Sequence, residues 1–403
     1  FKGPIIGTEE TGNIMDLSLK DSYSIMKRNA KRSNNKIMYC YEDVIRTVSL
    51  FKPLKFGKKL MLDHYTSIEL FGNGHILGAS IIVVNFNYPG QKEKKIIFSA
   101  DYAKSNVFFK FRDIPKRIKE ADNFLVLEST YGTTSTKSVT HHFQVDVANI
   151  LNDGYSLLLP SIALERIPRL LLEIKKLKTQ LDVYIDTPLG IKLLNIHLIK
   201  ADIDFMPNNV HYVTKYDREK VLNDKRQKIV ITTSGISDNG NIMLYLSYAL
   251  PNPKFAVYYT CYQPPTSTGS KLLNANIGDI VTLQHKEYIL NAKVYFTGEF
   301  STHAKYEELV SFAKQLNPKA IFINHGEAAV KSSFTEAIQK ELALKQVYCM
   351  QRGLSYQINN DYTVTVNDAI LENKTYYPHR QEKKQSKKNN TKKRSKKSKK
   401  FTK

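Results

Sequence analysis

The chain has 403 residues, is 42% hydrophobic and carries a formal net charge of +22, enough apolar material for a sizeable core in more than one domain. No run of about 18 apolar residues occurs, so no membrane span is expected. The three cysteines, Cys40, Cys261 and Cys349, are far apart, which argues against a disulfide framework or a thiolate zinc site and suits a reducing, cytoplasmic setting.

The chain opens with FKGPIIGT, Phe1 to Thr8, with neither an initiator Met nor an apolar leader. GNGHILGAS, Gly72 to Ser80, then places His75 between glycines ahead of the apolar strand Ile81–Val84. By itself His75 reads more readily as a loop histidine than as a metal ligand, since histidine beside glycine is common in turns. Further strands share one habit, an apolar run ending in a polar or small-residue cluster: KKIIFSAD (94–101), NFLVLEST (123–130), KIVITTSG (228–235), AKVYFTGEFSTH (292–303) and KAIFINHGE (319–327). Chemistry in α/β proteins gathers at the carboxyl ends of strands, and Asp101, Glu128, His303 and His325 fall there. Asp101 can also cap a turn, Glu128 can be a solvated strand end, and His325 can be a loop histidine.

Between the strands, Phe143, Val147, Ile150 and Leu151 mark a helix closed by Asp153-Gly154. YSLLLP (155–160) leads into a helix bearing Arg166, Leu170 and Leu171. After His303, Leu309, Phe312, Ala313 and Leu316 follow a helical period that stops before Pro318. Residues 137–285 have their own strand–helix alternation and read as a second α/β domain inserted into the first, entered through GTTSTKSVT (132–140). From Arg380 to Lys403 the chain has 13 Lys or Arg against the single acid Glu382. Such a tail has nothing to pack, is expected to be disordered, and suits a polyanion partner; a solubilising extension is the alternative.

His75, Asp101, Glu128, His303 and His325 supply, in order, the nitrogen and carboxylate donors that zinc takes. Their flanking residues resemble those of the β-CASP group of the metallo-β-lactamase superfamily, over most of the chain from Phe1 to roughly Gln357. GHILGAS resembles the family's AGHxLGA, with Asn73-Gly74 for Ala-Gly. FSADYAKS resembles the TGD stretch, VLESTYG the first β-CASP motif, FSTHAKY the second (usually FSAHAD, with Lys305 where the aspartate stands), and NHGE the third. PSIALERIPRLLLEI resembles P-x-FALGRAQELL, with Glu165 replacing the glycine before Arg166. TTSGISDNG and TCYQPPTSTGSKL resemble the Gly- and Ser-rich turns lining the family's cleft.

The resemblance implies an α/β metallo-β-lactamase αββα sandwich holding an inserted β-CASP domain. Its parts would be residues 1–136, the insert 137–285, a return over 286–370 and a Lys-rich tail over 371–403. It implies two zinc ions, with His75, Asp101 and His325 as ligands, and Glu128 and His303 as catalytic residues, His303 oriented by Glu128. Ser234, Gly235 and Gly269 would offer backbone N–H groups to RNA phosphates, with Arg166 beside them; ordinary tight turns after strands are the equal alternative. The histidine of the third motif points to RNA. The expected function is therefore a zinc-dependent RNA nuclease, endonucleolytic, cytoplasmic and without a membrane partner; a homodimer or processing-complex subunits stay open.

The family's HxHxDH signature should precede FKGPIIGT, and none of the ten histidines forms HxH. The chain is thus read as an N-terminally truncated fragment with part of the ligand set. A catalytically inactive RNA-binding or scaffold relative is the alternative, and hydrolysis of a small ester a third reading that the insert and tail disfavour.

Overall fold

The computed structural model describes residues 1–33, 35–110, 113–138 and 140–368; the Lys-rich tail lies outside them. Strand Ser80–Phe86 alternates covered and open positions, the pattern of an antiparallel strand whose two faces differ. Ser156–Pro160 and Phe255–Tyr259 are buried at every position, as central parallel strands covered on both faces must be.

These two patterns belong to different sheets. The first has seven strands in the order Val347–Cys349, Ala320–Ile323, Asn123–Leu127, Lys94–Phe98, Ser80–Phe86, Thr66–Gly72, Leu60–Met61. Its first four strands are mutually parallel and the remainder pair antiparallel. On one face Val83, Ile97, Leu125, Leu127, Ile321 and Ile323 pack against Leu309, Ala313, Phe334 and Ile338 of the helices Tyr306–Leu316 and Ala328–Leu342. On the other, Phe124, Ala320 and Phe322 meet Tyr356, Ile358 and Val364 of an antiparallel hairpin, Leu354–Ile358 with Val364–Asp368.

The second sheet has six parallel strands in the order Val210–Tyr212, Val183–Asp186, Ile229–Thr232, Ser156–Pro160, Phe255–Tyr259, Lys293–Phe296. The helix Arg166–Lys176 forms because Ile167, Leu170, Leu171 and Ile174 recur at helical spacing and are all buried. Thr187 caps the helix Pro188–Lys200, its hydroxyl accepting from Gly190 N–H at 3.2 Å. The architecture is mixed α/β, as expected, and the strands and helices read from the apolar runs are present. Among the described residues no helix is long and apolar enough to cross a membrane.

The amino-terminal region carries helices that no sequence signal had marked. Glu9–Ser33 has Tyr23 as its one buried residue among those described. It packs against the helix Tyr41–Ser49 and against Pro188–Lys200, where Lys200 Nζ lies 3.0 Å from Glu10 Oε1. The chain leaves the first sheet after Asn123–Leu127 and returns to it at Ala320–Ile323, so the loops that make both crossings meet at the carboxyl ends of the parallel strands.

Candidate metal centre

The turn carrying His75 follows strand Thr66–Gly72 and is held by polar groups rather than by packing alone. Gly74 and Gly78 both have positive φ, at 75° and 80°, where glycine avoids the cost a side chain would meet. A Cβ at Gly78 would also lie 2.8 Å from Thr11 N and 2.9 Å from Thr8 Oγ1. Thr8 and Thr11 hydroxyls donate to Gly78 O at 2.8 and 3.0 Å. Asn73 is fully buried. Its Nδ2 donates to Ser99 O at 3.1 Å and Asp101 O at 2.8 Å, while its Oδ1 accepts from His75 N–H at 3.1 Å. Asn73 thus ties the His75 turn to the Asp101 loop.

The His75 ring has a defined direction. Its Nδ1 faces Thr302 O at 3.0 Å and Thr302 Oγ1 at 3.1 Å. A hydrogen on Nδ1, donated to that carbonyl, leaves the Nε2 lone pair free, and Nε2 lies 3.8 Å from Asp101 Oδ2. A histidine whose second nitrogen donates to a backbone carbonyl is the usual arrangement of a metal-binding imidazole. Burial pushes the ring below the ordinary histidine value, which favours the neutral, ligating form.

Four more side chains converge beside it. One ligand atom each of Asp101, Glu128, His303 and His325 lie within 4.8 Å of one another. Glu128 ends strand Asn123–Leu127 and is 2% exposed. Its carboxylate meets His303 Nδ1 at 2.8 and 3.0 Å and accepts from Tyr102 N–H at 2.6 Å and Thr130 N–H at 3.3 Å. Burial alone would raise this carboxyl; the His303 hydrogen bond and charge, with Thr130 and Tyr102, outweigh it and hold Glu128 below the ordinary value. Burial would likewise lower His303, but the Glu128 hydrogen bond and charge, with Asp101, hold it above the ordinary value. Both shifts favour the charged forms of the pair.

His325 follows strand Ala320–Ile323 with φ 46°. Its carbonyl accepts from Ser129 N–H and Ser129 Oγ at 2.9 and 2.8 Å. Its Nδ1 lies 3.0 Å from Thr130 Oγ1 and 3.4 Å from Asp101 Oδ1. The His303 ring sits between the other two, with centroids 4.6 Å from His75 and 5.8 Å from His325. All five residues singled out in the sequence therefore meet at one place. Nitrogen and carboxylate donors at these separations suit a transition-metal ion.

The four phosphate candidates line the carboxyl end of the second sheet. Arg166, Ser234 and Thr260 follow adjacent strands, and each has a buried side-chain atom without a partner: Nη1, Oγ and Oγ1. Arg166 is 8% exposed and its Nη2 donates to Phe300 O at 2.9 Å. Gly235 is pressed against Cys261, whose Sγ would be 2.7 Å from an added Cβ. Gly269 donates its N–H to Ile236 O at 3.1 Å, and its lack of a side chain makes room for Gln263 and Tyr259. Of the three expected to offer backbone N–H groups, Ser234, Gly235 and Gly269, the last has its N–H already taken.

Residues the sequence reading passed over complete the site: Thr302, Thr130 and Asn106 hold it in place, and His197 pairs with Glu165. Only Thr130 and Thr302 sit beside residues already singled out, Glu128 and His303.

Two family profiles match the chain: "Beta-Casp domain" over residues 168–272, and "Zn-dependent metallo-hydrolase RNA specificity domain" over 287–350, which includes His303 and His325. The chain is 30% identical to "Probable RNase MJ4" of Methanocaldococcus jannaschii over 337 residues, 80% of this chain and 76% of that one. It is 27% identical over 361 residues to "RNase aCSPSF2" of Saccharolobus solfataricus, covering 85% and 68%. To "Ribonuclease TTHA0252" of Thermus thermophilus it is 23% identical over 351 residues, covering 81% and 76%.

Proposed function

The chain belongs to the β-CASP family of metallo-β-lactamase-type hydrolases, and on that premise we propose that it is a zinc-dependent ribonuclease cutting RNA internally in the cytoplasm. The observation that carries the chemistry is the His303–Glu128 pair, 2.8 Å apart, set beside Asp101, His325 and His75. Asp101, His325 and His75 would hold zinc, with Asp101 in the middle because its two oxygens face the two different histidines. When bound, such a metal supplies Lewis acidity at the phosphoryl group and makes water nucleophilic near neutral pH.

The chain's own residues supply the rest. Thr302 and Asn73 fix His75, so its Nε2 keeps one direction. Glu128 turns the His303 ring and keeps it protonated, so that His303 can give a proton to the leaving 3′-oxygen. Products would then carry 5′-phosphate and 3′-hydroxyl ends. Arg166 Nη1 and Ser234 Oγ, buried and unpartnered, are available to phosphate oxygens of the strand. We place the insert at 137–285, with Lys293–Phe296 completing its sheet.

The test uses the full chain with added Zn2+ on circular and on end-labelled linear RNA. Cleavage of the circle supports an endonuclease, and cleavage of linear RNA alone overturns that part. His303→Ala should lower the cleavage rate by about a hundredfold or more while RNA affinity stays within about twofold. RNA binding with no Zn2+-dependent cleavage, even with an HxHxDH segment joined ahead of Phe1, would sink the enzyme reading and favour a scaffold.

A further inference from the structure

Glu165 is a buried acid in an unexpected place. It has φ 61°, a conformation that side chains avoid, and its side chain is 7% exposed. Desolvating a carboxylate there requires partners, and it has three. Asn106 Nδ2 donates to its Oε1 at 2.7 Å, Leu77 N–H to its Oε2 at 3.3 Å, and His197 Nε2 lies 2.9 Å from the same oxygen. His197, fully buried, has its Nδ1 3.1 Å from Leu193 O. Both ring nitrogens therefore face acceptors, Leu193 O and Glu165 Oε2.

Two of these partners flank the candidate ligand. Leu77 is two residues after His75. Asn106 Nδ2 also donates to Gly74 O at 3.2 Å, one residue before it. The next residue in the same helix start, Arg166, donates to Phe300 O at 2.9 Å, in the loop whose Thr302 carbonyl faces His75 Nδ1. Consecutive side chains from the insert thus grip both backbones that decide where the His75 ring points.

We infer that Glu165, paired with His197, is a positioning residue: its carboxylate fixes the Gly74–Leu77 turn and so couples the inserted domain to the His75 side of the metal centre. This rests on His75 being a metal ligand. An outer group that orients a ligand typically changes metal affinity roughly ten- to a hundredfold when removed.

The experiment compares wild type, E165G and E165Q as full chains. Glycine accepts the positive φ, so E165G deletes the carboxylate without backbone cost; Gln keeps the size and one acceptor oxygen. In metal-free protein, the His75 Cε1–H resonance should shift and broaden in E165G while that of His325 stays, with E165Q intermediate. Zn2+ affinity, read by competition with a chromophoric chelator, should fall about tenfold or more in E165G and less in E165Q, with the KM for RNA unchanged and kcat reduced. A lower melting temperature alone, with the His75 resonance and Zn2+ affinity of wild type, would mean a purely structural role and overturns the inference. If E165G does not fold, the difference between wild type and E165Q in both readouts decides the same point. Zn2+ binding that D101N leaves untouched would sink the metal reading instead, and the His75 resonance would still tell whether Glu165 positions that ring.

Discussion

Asn73 shows how much of the centre depends on a residue with no chemistry of its own. Its side chain makes three hydrogen bonds, two to carbonyls of the Asp101 loop and one from the His75 N–H. Asn73→Ala would leave those buried groups without their partners. The expected cost is about 1–3 kcal/mol in urea unfolding, together with weaker Zn2+ binding, since both ligand loops are released at once. A variant as stable as wild type would mean that the turn is fixed by Gly78 and the threonine hydroxyls alone. Alanine is what the family pattern has at this position, so substitution by the family residue is expected to harm this chain.

At the scale of elements, the site was legible where local pattern decides it. Apolar runs closed by Asp101, Glu128 and His325 are strands with those residues at their carboxyl ends, because a parallel strand's apolar stretch stops where its loop begins. Helix Tyr306–Leu316 was equally plain: buried Leu309, Phe312, Ala313 and Leu316 give the period, Glu307 and Glu308 occupy the first turn, and Asn317 ends it in a left-handed conformation before Pro318. Pairings between distant segments were not legible. His75 and Thr302 are 227 residues apart, and nothing in either neighbourhood announces the other. Strand Lys293–Phe296 reads as following the insert, yet it pairs with Phe255–Tyr259, since strand adjacency is a property of the folded sheet. The helix Glu9–Ser33 escaped because its residues are mostly polar and nearly all partly open, which leaves no apolar stripe.

One crossing between the sheets is held by an acid as well as by backbone, where Tyr306 N–H donates to Thr134 O at 3.0 Å. Glu307 accepts from Ser135 Oγ at 2.6 Å and Thr136 N–H at 2.8 Å, pinning the entry segment to the start of helix Tyr306–Leu316. The Ser135 hydroxyl and the Thr136 N–H hold its carboxyl down at about 2, from an ordinary 4.5. A depressed carboxyl contributes its stabilisation above the unfolded value and loses it as pH falls towards the folded one, here between about 4.5 and about 2. Because the group is exposed, the effect is local. Limited proteolysis at 132–138 should speed up in Glu307→Gln at neutral pH, with the melting temperature almost unchanged. Equal cleavage rates in the two proteins would show that the linker is held elsewhere.

Over the whole molecule, most of the net charge is separate in sequence from the residues of the centre. The centre is a cluster of acids and histidines, whereas more than half of the net +22 resides in Arg380–Lys403. Lysines attract RNA by releasing counterions from phosphates, so each contact adds to the salt dependence of binding, with a slope of roughly −0.7 per phosphate for single strands. Deleting residues 380–403 should therefore flatten the plot of log KM against log salt and raise KM most at low salt. At saturating RNA, kcat should stay within about twofold, because no residue of the centre is removed and bound substrate meets the same groups. Internal cleavage sites on a long RNA should also be unchanged, since contacts to phosphates carry no sequence information. A fall in kcat at saturation would instead place the tail in the cleft during turnover, and an unchanged salt slope would show that the phosphates are held by the folded domains.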